Sequence, residues 1–101
     1  MNISNNVSSI TAHQTTLNNS AHNVANVNTD KYVPIRTTIN GDDSSVSASS
    51  HKADDNTSKL SQTDLAKEFP DQIIADKATS VNVSAIKTQD EMFGSLLDIK
   101  A

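Results

Sequence analysis

Cysteine is absent from this 101-residue chain, so disulfides, thiolate chemistry and Cys-based zinc sites are excluded. Tryptophan is absent too, aromatics are 3% of residues, and there are two glycines and two prolines. No phosphate-cradling Gly-rich loop is present. Lys and Arg number only eight, against twelve Asp and Glu, for a formal charge of −4. Nucleic acid is a poor partner for such a chain, since phosphate binding needs a basic face. No run of 18 apolar residues exists, so no transmembrane segment is expected. The opening "MNISNNVSSI" has neither a basic segment nor an apolar stretch, unlike a Sec-type signal peptide. With 35% hydrophobic residues, the chain is one domain at most, with a narrow helical core.

The chemistry-bearing residues do not converge on a site. His13 and His22 are nine residues apart, on opposite faces of a helix, and His51 lies far along the chain. Asp42-Asp43 and Asp54-Asp55 begin no EF-hand pattern and read as solubilising charges. Asp90 and Glu91 are adjacent, so they diverge by ~100° on a helix and form no carboxylate pair. Nothing resembles G-x-S-x-G. The expectation is therefore no catalytic residue, no metal and no cofactor.

What is present is periodicity. Residues 1–29 carry no Asp, Glu, Lys or Arg. Within them Ile3, Val7, Ile10, Gln14, Leu17, Ala21 and Val24 recur at alternating steps of four and three, a heptad seam with one polar member. This predicts a helix over 3–27, about 37 Å long. Its Asn, Ser and Thr each cost up to ~0.7 kcal/mol against Ala. Such a helix forms only when packed, and the expected packing places Leu17 and Val24 in the interface. "NVNTDKY" supplies its end, with Tyr32 as an anchor. "KYVPIRTTI" reads as extended, because Pro34 biases Val33 away from helix. Residues 37–59 read as a polar linker or a loose hairpin around Gly41-Asp42, and composition favours the solvated linker.

Residues 60–101 turn helical. Ser61 or Thr63 is the candidate cap, and Pro70 is expected to kink or restart the helix, which then runs over 71–99. It carries two apolar stripes. Phe69, Val83, Ile86, Phe93 and Leu97 form one; Ile74, Ala78, Val81, Ala85, Met92, Leu96 and Ile99 form the other. One partner helix cannot cover both. Either the second stripe meets a neighbouring subunit, or the seam of an ordinary helical hairpin is wide.

Two stretches carry a resemblance. "LNNSAHNVANVNTDKY" resembles the N-terminal signature of bacterial flagellar rod and hook proteins, L-x-x-x-A-x-N-[ILV]-A-N-x-N-T-x-G-[YF]. Leu17, Ala21, Asn23, Val24, Ala25, Asn26, Asn28, Thr29 and Tyr32 fall on it. "IIADKATSVNVSAIKTQDEMFGSLLDI" is similar to that family's C-terminal segment at Ile73, Ala75, Ala78, Asn82, Ile86, Thr88, Asp90, Glu91, Met92, Leu96 and Leu97. Together the two cover about two thirds of the chain, in order and at opposite ends. The departures are Lys31 for the family's turn glycine, Asp76-Lys77-Ala78-Thr79 for its "QRAY", and Pro70 for an aliphatic residue.

The resemblance implies a small, proximal rod-like subunit of the flagellar basal body. Such proteins leave the cytoplasm unfolded through the flagellar type III export apparatus. They polymerise into the axial tube of the periplasmic rod through their terminal helices, beside copies of themselves and other rod and hook subunits. The expected fold is all-α: two long helices paired as a coiled-coil-like hairpin. The expected organisation is a rod-type helix with its extended segment (1–36), a linker or hairpin (37–59) and a second rod-type helix (60–101). The expected assembly residues are Ile3, Val7, Ile10, Leu17, Ala21, Val24, Tyr32, Ile74, Val81, Val83, Ile86, Met92, Phe93, Leu96 and Leu97. The alternative is a soluble two-helix adaptor or chaperone for flagellar axial proteins.

Overall fold

A computed structural model describes residues 3–41 and 45–100, apart from the side chain of Lys100. The turn containing Asp42 and Asp43 lies outside the described residues. Four elements follow in order: α1 (Ile3–Ala25), β1 (Ile35–Gly41), β2 (Val46–Lys52) and α2 (Leu65–Lys100). The helices run antiparallel: Ser20 meets Glu68 and Gln72, while Ser9 meets Asn82. The molecule is a rod of 67 × 22 × 14 Å.

The helix pair is as expected, but the fold is not purely all-α. β1 and β2 form an antiparallel hairpin, with Ile35 opposite Lys52 and Gly41 opposite Val46. The solvated-linker reading of 37–59 is therefore corrected. Composition hid the hairpin because its cross-strand pairs are hydroxyl-bearing, such as Thr37 with Ser50 and Thr38 with Ser49. Such pairs suit a pleated surface without being apolar. The hairpin is fastened to α1 by polar bonds. Asn19 Nδ2 donates to both Thr37 Oγ1 (2.9 Å) and Ser50 Oγ (2.8 Å), and the Val46 amide donates to Ser8 Oγ (3.0 Å).

Residues 53–64 are tied down as well. The Lys31 amide donates to the Lys59 carbonyl and the Gln62 amide to the Tyr32 carbonyl, both at 3.0 Å. Gln62 Nε2 and the Thr57 amide both donate to Asp55 Oδ1, which holds that carboxyl below its ordinary pKa.

α1 stops at Ala25, two residues before the expected end, in a turn where the Asn26 amide bonds the His22 and Asn23 carbonyls. Lys31 then takes φ 62°, the left-handed region. α2 starts at Leu65, close to the expected cap, and continues through Pro70 as one helix where a kink or restart was expected. Its cap is neither Ser61 nor Thr63. Asp64 Oδ1 accepts the Ala66 amide, and the Asp64 carbonyl accepts the Lys67 and Glu68 amides. Pro70 removes one bond to the Ala66 carbonyl, and Ala66 lies exposed, where water can take that place. Thr63 Oγ1 turns the other way and donates to the Asn23 carbonyl at the end of α1 (3.0 Å).

The helix interface is the main correction. Among the described residues the buried apolar side chains are Ala12, Ala75 and Pro34. Buried beside them are Ser20, Asn23 and Glu68. Ala12 and Asn23 lie roughly 180° around α1 from Ile3 and Ala21, at ~100° per residue. The heptad seam thus points mostly outward. Ile3, Val7 and Ala21 are exposed, while Ile10, Leu17 and Val24 at its edge are half-buried. The small face of α1 lies inward because Ser and Ala allow close approach and Ser, Asn and Thr find hydrogen-bond partners there.

Lys31 yields a prediction. A side chain in the left-handed region costs roughly 1–2 kcal/mol, offset in part by the entropy glycine adds to the unfolded chain. Lys31→Gly should raise the unfolding free energy by up to about 1 kcal/mol, seen as a higher chemical-denaturation midpoint, and Lys31→Val should lower both. Equal midpoints for both variants would contradict a left-handed turn.

Candidate functional site

The buried residues converge on one carboxylate. Glu68 sits in the first turn of α2, where the helix N-terminus favours a negative charge. Its residue is 2% exposed. Oε2 accepts a short bond from Ser20 Oγ (2.6 Å), and Oε1 accepts Asn23 Nδ2 (3.0 Å). Gln72 Nε2 donates to Ser20 Oγ in turn (3.1 Å). Arg36 of β1 places Nη1 3.7 Å from Oε1, an ion pair beyond hydrogen-bond length. A buried charge is tolerable only when paired and hydrogen-bonded in this way.

Asn23 is the other half of the cluster, 1% exposed. Its Nδ2 also donates to the Ile35 carbonyl, while its Oδ1 accepts the Ile35 amide, both at 2.8 Å. The side-chain amide thereby pairs with β1 as a strand would. Oδ1 also accepts the Tyr32 hydroxyl (2.8 Å). Both donors and both lone pairs of Asn23 are used, which fixes the amide's orientation. Since the Tyr32 proton points at Asn23, the 2.8 Å contact between Tyr32 and His22 Nδ1 requires that nitrogen to carry hydrogen. Donors therefore run in one direction, from His22 through Tyr32 and Asn23 to Glu68. Burial first, and the Glu68 carboxylate second, push the Tyr32 phenol above its ordinary pKa.

This cluster joins α1, β1 and α2. The hydroxyl that stands beside a carboxylate, Ser20 against Glu68, is buried, and the cleft next to it holds only about 20 Å³. Among the described residues no three His, Asp or Glu side chains lie together as metal ligands. No helix among them is long and apolar enough to cross a membrane.

The second candidate site is the outer surface. Of the residues expected in assembly, Ile74, Val81, Val83, Met92, Phe93, Leu96 and Leu97 are exposed on α2, and Ile86 is half-buried. Val81 is 68% exposed and Leu96 58%. Ile73 and Ile99 extend this surface. Every residue from Asp90 to Ile99 is exposed, so the end of α2 stands largely free of α1. Ile3, Gln89, Asp90, Phe93 and Leu96 line a shallow groove there. Tyr32, expected as an anchor, does anchor the turn after α1 through Asn23.

Sequence reasoning missed Glu68, Ser20 and Arg36, and it gave Asn23 no role beyond the motif. One signal was available: Ser20 and Asn23 share a helix face in a segment without charge, so an internal partner with acceptors had to come from elsewhere. No protein-family model matches this chain, and no curated protein matches it either.

Asn23→Ala would strip partners from the Ile35 amide and carbonyl, Tyr32 and Glu68. At ~1–3 kcal/mol per unsatisfied buried group, a loss of at least about 3 kcal/mol is expected in chemical denaturation. Asn23→Asp should be no better, since it sets a second carboxylate against Glu68. A loss below 1 kcal/mol would contradict the hub.

Tyr32 is the sole tyrosine and no tryptophan is present, so ultraviolet absorbance titrates it alone. Its raised pKa means the fold favours the protonated phenol. That stabilisation is complete below about pH 10 and is lost as pH rises through the raised value. The absorbance midpoint should lie above that of free tyrosine and fall part-way back in Glu68→Gln. An ordinary midpoint in the folded chain would refute the placement.

Proposed function

We propose that this chain is a structural subunit of a flagellar basal-body rod, which polymerises through its two helices and has no catalytic role. The observation that carries this reading is the outward display of apolar side chains along both helices. A monomer that keeps Val81, Met92, Leu96 and Ile99 in water has its stabilising surface still to bury. Each such side chain, fully buried against a neighbour, contributes roughly 1.5–3 kcal/mol.

The likeness at both ends of the chain gives the reading its particular form. The motif's first asparagine coincides with Asn23, the centre of the hub, and its turn glycine coincides with Lys31, which takes a positive φ. The helices fit export in an unfolded state, since α1 has poor intrinsic propensity and little apolar area holds it. The neighbours would be further copies and related rod and hook subunits, in the periplasmic rod after export from the cytoplasm.

Val7→Asp and Leu96→Asp test the reading. Both positions are exposed in the single chain, so secretion should be unchanged. In an assembled tube each would bury an unpaired carboxylate, at a cost of at least ~1–3 kcal/mol in every subunit. Retention of the variants in purified basal bodies should fall severalfold, with Asn18→Asp milder. Wild-type retention of both would count against an assembly role and favour a soluble adaptor or chaperone.

A further inference from the structure

A small polar cleft of about 20 Å³ lies where α1, β1 and α2 meet. Thr16, Ser20, Arg36, Thr37, Glu68 and Asp71 are among the residues lining it. Arg36 Nη1 is shielded from solvent there and makes no hydrogen bond to the described residues. Its ion-pair partner, Glu68 Oε1, stands 3.7 Å away and already accepts Asn23. A buried guanidinium donor without an acceptor is costly, and a polar contact beyond about 3.5 Å invites a bridge.

We propose that this cleft binds one ordered water molecule, which accepts from Arg36 Nη1 and donates to Glu68 Oε1. Three observations fit that ligand. The volume suits a single water, which needs at least ~10–15 Å³. The carboxylate has about four lone-pair sites, of which Ser20 and Asn23 occupy two. Thr16 and Thr37 line the same cleft, and their hydroxyls keep acceptor capacity for the second water proton. A bound ion fits less well. The lining holds two cations, Arg36 and Lys67, and two carboxylates, Glu68 and Asp71, and Lys67 and Asp71 pair with each other at 3.0 Å. Neither charge sign is left uncompensated. The water makes the attachment of β1 to α2 indirect, so the hairpin leans on a solvent molecule where Asn23 does not hold it.

A crystal structure of the full chain at atomic resolution tests this. One water-sized density peak should lie within hydrogen-bond distance of both Arg36 Nη1 and Glu68 Oε1, unchanged across crystals grown from different buffers. Crystals soaked in rubidium bromide should show no anomalous signal there. In Arg36→Met the peak should vanish while the Asn23–Glu68 and Ser9–Asn82 bonds persist. A direct Arg36–Glu68 hydrogen bond with no density between them would overturn the proposal. So would an anomalous peak at the site, or a water that survives Arg36→Met. The first two outcomes are read on the unaltered protein, so the proposal stays open to refutation if the variant does not fold.

Discussion

The side chain of Asn23 holds this molecule together. Its amide pairs with the backbone of Ile35, accepts Tyr32 and donates to Glu68. Without it β1 loses its tie to α1 at Ile35, the Tyr32 hydroxyl loses its acceptor, and Glu68 loses a donor. The arrangement works because an asparagine amide offers two donors and two acceptor lone pairs in one plane, which is what a strand edge presents. Glu68 is its counterpart. As an acceptor from α1 residues, it fixes how far the two helices slide along each other, and Arg36 ties that register to β1.

Hydrogen bonds of this kind specify more than they stabilise. Each contributes about 1 kcal/mol net, whereas leaving one partner unmet costs more. The apolar contribution within a single chain is modest: among the described residues the fully buried apolar side chains are two alanines and a proline, and Ile10, Leu17, Val24 and Ile86 are half-buried. The usual polarity of a helix pair is thereby partly reversed: Ser20, Asn23 and Glu68 are buried, while Val7, Val81, Met92, Phe93 and Leu96 are exposed. A chain so built has a well-defined conformation and a modest reason to hold it, until something covers the outside. The weak propensity of α1 then becomes intelligible. Its Asn, Ser and Thr are poor helix formers, but they are the residues that bond the hairpin and α2 through Asn19, Ser20 and Asn23.

Periodicity located both helices and the extended segment around Pro34, because spacing and backbone restriction are local properties. It could not say which face of α1 turns inward. The heptad seam was the natural choice, since burial of Leu17 and Val24 ordinarily outweighs burial of Ser20 and Asn23. That choice fails for Ile3, Val7 and Ala21, because the polar face has a complete set of partners within the chain, while Ile10, Leu17 and Val24 are half-buried at the seam's edge. The hairpin was one of two readings of residues 37–59, and composition ranked it below the linker because its Thr and Ser pairs look like linker residues. Glu68 was invisible as a hub because its three partners lie 32 to 48 residues away along the chain, on separate elements. The apolar stripes of α2 were legible as more than one helix could cover, and the exposed ends of those stripes remain the most direct pointer to a partner.

The orientation of α1 is the claim on which all of this rests, and the absence of cysteine makes it accessible to a disulfide experiment. Ser9 and Asn82 are hydrogen-bonded across the helix interface at 3.0 Å, while Val7 is turned away. Oxidation of the double variant Ser9→Cys, Asn82→Cys at high dilution should yield an intramolecular disulfide. The double variant Val7→Cys, Asn82→Cys should give none. The reverse result, a link through Val7 and none through Ser9, would place the heptad seam inside the molecule and contradict the account.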